Sequence, residues 1–168
     1  MNGTGTDTFA PNDPTTRGMI VTMLWRMEGS PSQSASQADL PKGESRETSR
    51  FDDVEDGAWY EEAVNWAASK KIVNGYDEKT FGPKDQITRE QLAAILYRYS
   101  DYKGQKDGCE ASDLKNFTDA GRVSSWALEA MQWSVGCKII GGMTETTLEP
   151  QGKATRAQVA TMLMRLEM

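Results

Sequence analysis

The stretch Phe81 to Tyr99, FGPKDQITREQLAAILYRY, occurs three times in variant form. A repeat of that kind decides an architecture before propensity or composition does. Shifted by 72 residues toward the N-terminus, the pattern falls on Phe9, Pro11, Thr16 and Arg17, followed by Ile20, Met23, Leu24 and Met27. Shifted by 67 toward the C-terminus, it falls on Leu148, Pro150, Thr155 and Arg156, followed by Val159, Met162, Leu163 and Leu166. Two independent offsets that both keep Pro, Thr-Arg and an apolar stripe make the chain a three-copy array.

The local chemistry of each copy is helical. Thr88 is an N-cap with Gln91 three residues on, the spacing at which two orphan backbone donors are satisfied reciprocally. Leu92, Ile95, Leu96 and Tyr99 then lie on one face at a 3.6-residue period, whereas Glu90, Gln91 and Arg98 fall off that stripe. The pattern predicts a helix from Arg89 to about Tyr102 and an earlier one over Thr15 to Glu28, stopped by Gly29 and Pro31. Gln158 keeps the capping box in the last copy, and Met19 removes it from the first.

A second kind of element precedes two of these helices. FDDVEDG, from Phe51, reads as a turn with Asp56 as cap for a helix bearing Trp59, Ala63, Trp66 and Ala67 and ending near Lys70. Ile72 and Val73 lead out of it into Gly75. The same element recurs at an offset of 67, with Phe117, Trp126, Ala130, Met131 and Trp133, leaving through Ile139 and Ile140 to Gly141 and Gly142. The first copy has the back half only. The organisation that follows is residues 1–29 as the back half of repeat 1, a flexible linker over 30–50, repeat 2 over 51–102, a linker over 103–116 and repeat 3 over 117–168. Residues 30–50, rich in Ser, Gln and Gly, lack the large apolar side chains that would order them.

Composition excludes several functions. A net charge of -6, without Lys and Arg clustered around aromatics, argues against a nucleic-acid partner. No apolar run is long enough for membrane insertion, and Met1 to Thr8 has neither the basic start nor the apolar middle of a secretory signal. With no histidine, and only Cys109 and Cys137 as thiols, neither a zinc site nor any other metal or cofactor is expected. The two cysteines are compatible with one disulfide or with two free thiols. DDVEDG fails the calcium-loop pattern, since a start at Asp52 puts Val54 and Ala63 at ligand positions. The adjacent carboxylates Asp52 and Asp53, or Glu61 and Glu62, do not face each other across a cleft, and no nucleophile setting is recognisable. No catalytic residue, and no enzyme, is expected.

Read together, Phe-x-Asp-Val, the Trp-bearing helix, the apolar exit into Gly, the Phe-x-Pro turn and the Thr-Arg helix start resemble the bacterial S-layer homology repeat. The segment from Phe51 to Tyr99 fits most closely and Phe117 to Met168 fits well, whereas Asn2 to Glu28 fits the back half alone. The resemblance implies an all-α fold: a pseudo-threefold array with a central three-helix bundle, short outer helices and the first outer helix missing. It also implies an extracellular, cell-surface location and non-covalent anchoring to the cell wall. The ligand would be secondary cell-wall polysaccharide, often pyruvylated, held in grooves between repeats.

Carried over position by position, the glycan-binding candidates are Arg17, Arg89 and Arg156, Asp53 and Asp119, Trp59 and Trp126, and Gly75 and Gly142. Arg89, beside the Gly75 turn, stands out among them. A guanidinium can hold a ketal carboxylate through two charge-assisted bonds, an indole face suits sugar C–H groups, and glycine lets backbone donors approach. Trp66 and Trp133 belong to packing. The family's Glu after Thr-Arg-Ala is Gln91, Gln158 and Met19 here, and with repeat 1 truncated fewer than three working grooves are expected. An alternative function is a protein-interaction or assembly module without glycan binding. In that reading Ile20, Met23 and Leu24 form an apolar face on the first helix, covered by self-association or by a missing N-terminal segment.

Overall fold

The structure, a computed structural model, describes residues 8–31 and 50–167. It is all-α: α1 is Arg17–Met27, α2 Glu61–Ser69, α3 Arg89–Tyr102, α4 Leu128–Gly136 and α5 Arg156–Leu166. Short 3-10 turns stand at Lys106–Gly108, Ala120–Arg122 and Ser125–Ala127. The flexible linker expected over 30–50 lies almost wholly outside the described residues. Two compact units form: one runs from Thr16 to Asp85, and the other takes the described chain up to Thr15 and from Gln86 onward.

The helix starts follow the capping chemistry. Thr88 and Thr155 each accept from the N3 backbone, and Gln91 and Gln158 each return a bond to the cap, so both capping boxes form. Thr16 keeps only its half, accepting from the Met19 N–H at 3.3 Å. Gly29, at φ +79°, stands where α1 stops, in the left-handed conformation that favours glycine there.

In the unit from Thr16 to Asp85, α1 packs on α2. Ile20, Val21 and Leu24 meet the same core as Ala63, Val64, Trp66 and Ala67, all essentially buried. The expectation of an apolar face left open on the first helix is therefore corrected. Ile20 and Leu24 are fully buried and Met23 is half-buried, because α2 of the following repeat covers α1.

The cap predicted for the Trp-bearing helix is also corrected. α2 starts at Glu61 after Tyr60, with no side-chain cap. Gly57 at φ +76° and the bonds from Ala58 N–H to Glu55 and from Glu61 N–H to Ala58 delay the helix past Asp56. Glu61 instead reaches back to accept from the Gly57 N–H at 2.7 Å. Trp59 thus precedes its helix, as Trp126 does in the 3-10 turn before α4.

In the other unit α3 packs on α4, with Leu92, Ala93 and Leu96 fully buried. Trp133 sits edge-on to Tyr97 at 5.4 Å between ring centroids and donates its indole N–H to the Lys106 carbonyl at 2.9 Å. Cys109 and Cys137 form a disulfide, Cα to Cα 5.4 Å, which settles the question the sequence left open. It ties the polar connection after α3 to the end of α4. Closing a loop across a sequence separation of 28 restricts the unfolded chain. Cys109→Ser with Cys137→Ser is expected to lower the unfolding free energy by about 3 kcal/mol in urea melts.

One feature of this unit relates the three copies directly. Thr15, Ile87 and Ala154 occupy equivalent positions and form a closed ring of backbone hydrogen bonds. Thr15 N–H donates to Ala154, Ala154 to Ile87 and Ile87 to Thr15, each at 2.9 Å. The ring is a threefold relation written into the backbone. Each of the three residues is buried and satisfied by the next copy, so no backbone donor is left orphaned there.

Candidate functional site

Each Thr-Arg helix begins against the Pro-containing turn of another copy. The first N–H groups of an α-helix have no partner within it. Here the N–H of Arg17 donates to Asp85, that of Arg89 to Gly152 and that of Arg156 to Asp13, each at 2.9 Å. The next residues repeat the pattern at the same distance, Gly18 to Pro83, Glu90 to Pro150 and Ala157 to Pro11. At Gly18 itself a Cβ would stand 2.8 Å from the Pro83 carbonyl oxygen, whereas Glu90 and Ala157 make the equivalent bond with a side chain in place.

The arginine side chains complete these junctions. Arg17 donates from Nε to the Phe81 carbonyl at 2.8 Å and from Nη2 to the Asn74 carbonyl at 3.0 Å. Arg89 donates in the same way to Leu148 at 2.8 Å and to Gly141 at 2.7 Å. Arg156 donates from Nε to Phe9 at 2.8 Å. The arginine of each copy therefore holds the turn of the next, and the third returns to the first. All three are buried, at 5%, 2% and 7% exposure. Burial holds the Arg89 guanidinium below its ordinary pKa, with Glu149 and Asp119 pulling it back up.

Asp53 and Asp119 pin the same turns from the other side. Asp53 accepts from the N–H groups of Phe81 at 2.8 Å and Gly82 at 2.7 Å. Asp119 accepts from Leu148 at 2.8 Å and Glu149 at 2.7 Å. Burial pushes the Asp119 carboxyl up, but the backbone donors of Leu148, Glu149 and Asp119 itself, with the charge of Arg122, bring it below the usual carboxylate range. The pinned turns share an unusual backbone: Ala10, Gly82 and Glu149 all take positive φ, at 50°, 73° and 50°. Only the second copy supplies the glycine that this conformation favours.

The grouping of candidate residues differs from the order in sequence. Arg17, not Arg89, lies beside the Gly75 turn, together with Asp53. Arg89 joins Asp119 and the turn that contains Gly142. Gly75 and Gly142 serve the turns themselves. A Cβ at Gly75 would run into the carbonyls of Asp77 and Thr80 and the ring of Phe51, and one at Gly142 into Thr144, Thr147 and Phe117. Trp59 and Trp126 are 56% and 55% exposed, whereas Trp66 and Trp133 are packed. Among the candidates, the two exposed indoles alone present a broad face to solvent.

Two further residues join these junctions without a clear signal in the sequence. Tyr76 is half-exposed and lies over the Arg17 guanidinium, 4.6 Å from Cζ to ring centroid. Glu90, off the apolar stripe, is nevertheless buried. It accepts from the Ser124 N–H and hydroxyl at 2.9 Å each and from Gln151 Nε2 at 3.2 Å, which fastens the entry to α4 onto the start of α3. A carboxylate in the first turn of a helix also meets the positive end of its dipole. Among the described residues no cluster of His, Cys, Asp and Glu could hold a metal ion, and no helix is long and apolar enough to cross a membrane.

Three turn-and-helix junctions, two of them carrying a Phe-x-Asp, Trp-bearing front half, define an S-layer homology array. The S-layer homology domain family model matches residues 1–18, 50–93 and 116–160, and the chain belongs to that family. It is similar to an amylopullulanase of Thermoanaerobacterium thermosulfurigenes, 31% identical over 96% of this chain and 8% of that protein. An endoglucanase of Bacillus sp. (strain KSM-635) is 29% identical over 99% of this chain and 16% of its own length. A cellulosome-anchoring protein of Acetivibrio thermocellus is 23% identical over 94% of this chain and 33% of its own length. The chain thus spans a third or less of each of these relatives.

Proposed function

We propose that this chain anchors a surface protein to the bacterial cell wall, non-covalently, by binding secondary cell-wall polysaccharide. The observation that carries the reading is the exposure of Trp59 and Trp126 at equivalent positions of the two front halves. An indole left more than half in water at one site is ordinary, but its repetition in a family of attachment modules favours a sugar-stacking platform. Membership of the S-layer homology family and similarity to a cellulosome-anchoring protein support attachment in general. The Cys109–Cys137 disulfide fits an oxidising location outside the cytoplasm.

In this reading the roles divide. Arg17, Arg89 and Arg156, with Asp53, Asp119, Gly75 and Gly142, position the turns, and Trp59 and Trp126 meet the glycan. The guanidinium groups put positive charge behind the turns, offset at Arg89 by Glu149 and Asp119, and this local charge is what a polymer bearing pyruvate ketal carboxylates would meet despite the net charge of -6.

Wall sacculi retaining the polysaccharide are expected to sediment the wild-type chain. Trp59→Ala with Trp126→Ala is expected to weaken retention by about tenfold or more, the effect of losing two stacking faces. Because both side chains are exposed, the thermal midpoint should move by no more than about 2 °C. Polysaccharide stripped of its ketals should bind less well than the pyruvylated polymer. A wild-type chain that stays in the supernatant, or a double variant that binds as well as wild type, would overturn the reading.

A further inference from the structure

The turn held by Arg17 carries a reactive pair of residues. Asn74 is followed by Gly75, and Asn74 is exposed. An asparagine amide is attacked by the backbone nitrogen of the next residue most readily when that residue is glycine, because no Cβ obstructs the approach. The nitrogen must also give up its proton. A hydrogen bond from that N–H resists the loss, and a positive charge on the adjoining carbonyl favours it.

Three Asn-Gly or Asp-Gly pairs stand among the described residues, and they differ in this respect. At Asp56–Gly57, an aspartate that could close on glycine in the same way, the Gly57 N–H donates to Glu61 at 2.7 Å. At Asp107–Gly108 the glycine N–H donates to the Gln105 carbonyl at 3.3 Å. The Gly75 N–H meets no acceptor among the described residues. The Asn74 carbonyl, which belongs to the same peptide group as that N–H, accepts from Arg17 Nη2 at 3.0 Å. The guanidinium therefore draws electrons from the peptide group that has to lose a proton.

We propose that Asn74–Gly75 is a self-modifying site, at which the Gly75 nitrogen displaces ammonia from the Asn74 side chain. The N–H proton passes to water, a bond forms from the nitrogen to Cγ, and the Cγ–Nδ2 bond breaks as ammonia leaves, closing a cyclic imide. Water then opens the imide at either carbonyl. Opening at Cγ leaves aspartate. Opening at the main-chain carbonyl leaves isoaspartate, with the chain running through the side-chain carbon and a free carboxylate where Arg17 had a neutral carbonyl. The turn has no room for the longer chain: a Cβ at Gly75 would already stand 2.4 Å from the Asp77 and Thr80 carbonyl oxygens. Isoaspartate here trades a carbonyl bond for an ion pair to Arg17 and loosens the turn that Asp53 pins. Repeat 3 lacks the reaction, because Gly141 stands where Asn74 does and has no side-chain amide.

The test holds the full chain at neutral pH, folded or unfolded in urea, and follows it by peptide mass spectrometry that separates asparagine, aspartate and isoaspartate. Conversion of Asn74 is expected to run about tenfold faster in the folded chain, the effect of a guanidinium that favours the deprotonated peptide group. Transfer of the pair to repeat 3 is the second arm. Gly141→Asn places it at the turn whose carbonyl accepts from Arg89 at 2.7 Å, and a Cβ there meets nothing within 4 Å. The Gly142 N–H likewise meets no acceptor among the described residues. That variant is expected to convert at position 141 with the same acceleration in the folded state. Folded Asn74 converting no faster than the unfolded chain would overturn the proposal. Acceleration at Asn74 alone would tie the reaction to one turn and would equally overturn activation by the guanidinium.

Discussion

Arg89→Ala is expected to lower the unfolding free energy by about 3 to 5 kcal/mol, a loss measurable as a reduced urea midpoint. The side chain is 2% exposed and donates to two carbonyls, those of Leu148 and Gly141. Removing it leaves both oxygens without their donor in a place that water reaches poorly, at about 1 to 3 kcal/mol each. The loss of the stem's packing adds to that cost. Arg89→Lys should recover only part of it, because an ammonium cannot present two coplanar N–H groups to carbonyls that lie at the two ends of a turn.

The expectation bears directly on how binding data should be read. A loss of wall retention in Arg89→Ala would ordinarily be taken as loss of a ligand contact. Here the same variant releases the turn that Asp119 pins through Leu148 and Glu149, so retention and stability would fall together. A stability loss of less than about 1 kcal/mol would show that the carbonyls find other partners, and would return Arg89 to the group of direct ligand contacts. Trp59 and Trp126, exposed and outside these junctions, separate the two effects.

Much of this arrangement was legible in the sequence, and the rest was not, for identifiable reasons. The three Thr-Arg helices, their unequal capping and the packing role of Trp66 and Trp133 follow from local chemistry: a Thr with Gln three residues on, and an apolar period of 3.6. Those signals need no knowledge of what lies across space. The partners of Arg17, Arg89 and Arg156 do need it. Sequence proximity pairs Arg89 with Gly75, but the turn an arginine holds belongs to the following copy, so each junction joins residues some 50 or more positions apart.

The same cause explains the misplaced open face. The truncated first copy draws attention to α1, yet a front half covers the helix of the copy before its own. Among the described residues the most exposed of the three helices is α5, where Met164 stands 58% in solvent. Glu90 was hidden for a different reason: periodicity marks which residues are apolar and cannot mark a carboxylate buried by a backbone N–H and a hydroxyl from another element. The delayed start of α2 depends on Gly57 at positive φ, a choice of backbone basin that the turn-like sequence permits without requiring.

A contrast between two leucines tests this account of more and less exposed helices. Leu92, on the inner stripe of α3, is fully buried, and Leu92→Ala should cost about 3 to 5 kcal/mol, the loss of transferred methylenes plus the cavity they leave. Leu163, on α5, lies in an equally apolar stripe of the sequence and would be assigned the same cost by pattern alone. In the structure it is only half-buried. Its truncation removes less area from the protein interior and leaves a dent open to water in place of a closed cavity, so Leu163→Ala should cost about 1 kcal/mol. Urea unfolding of the two variants, analysed with a common slope, gives the difference directly. Equal losses at the two positions would mean that Leu163 is as well enclosed as Leu92.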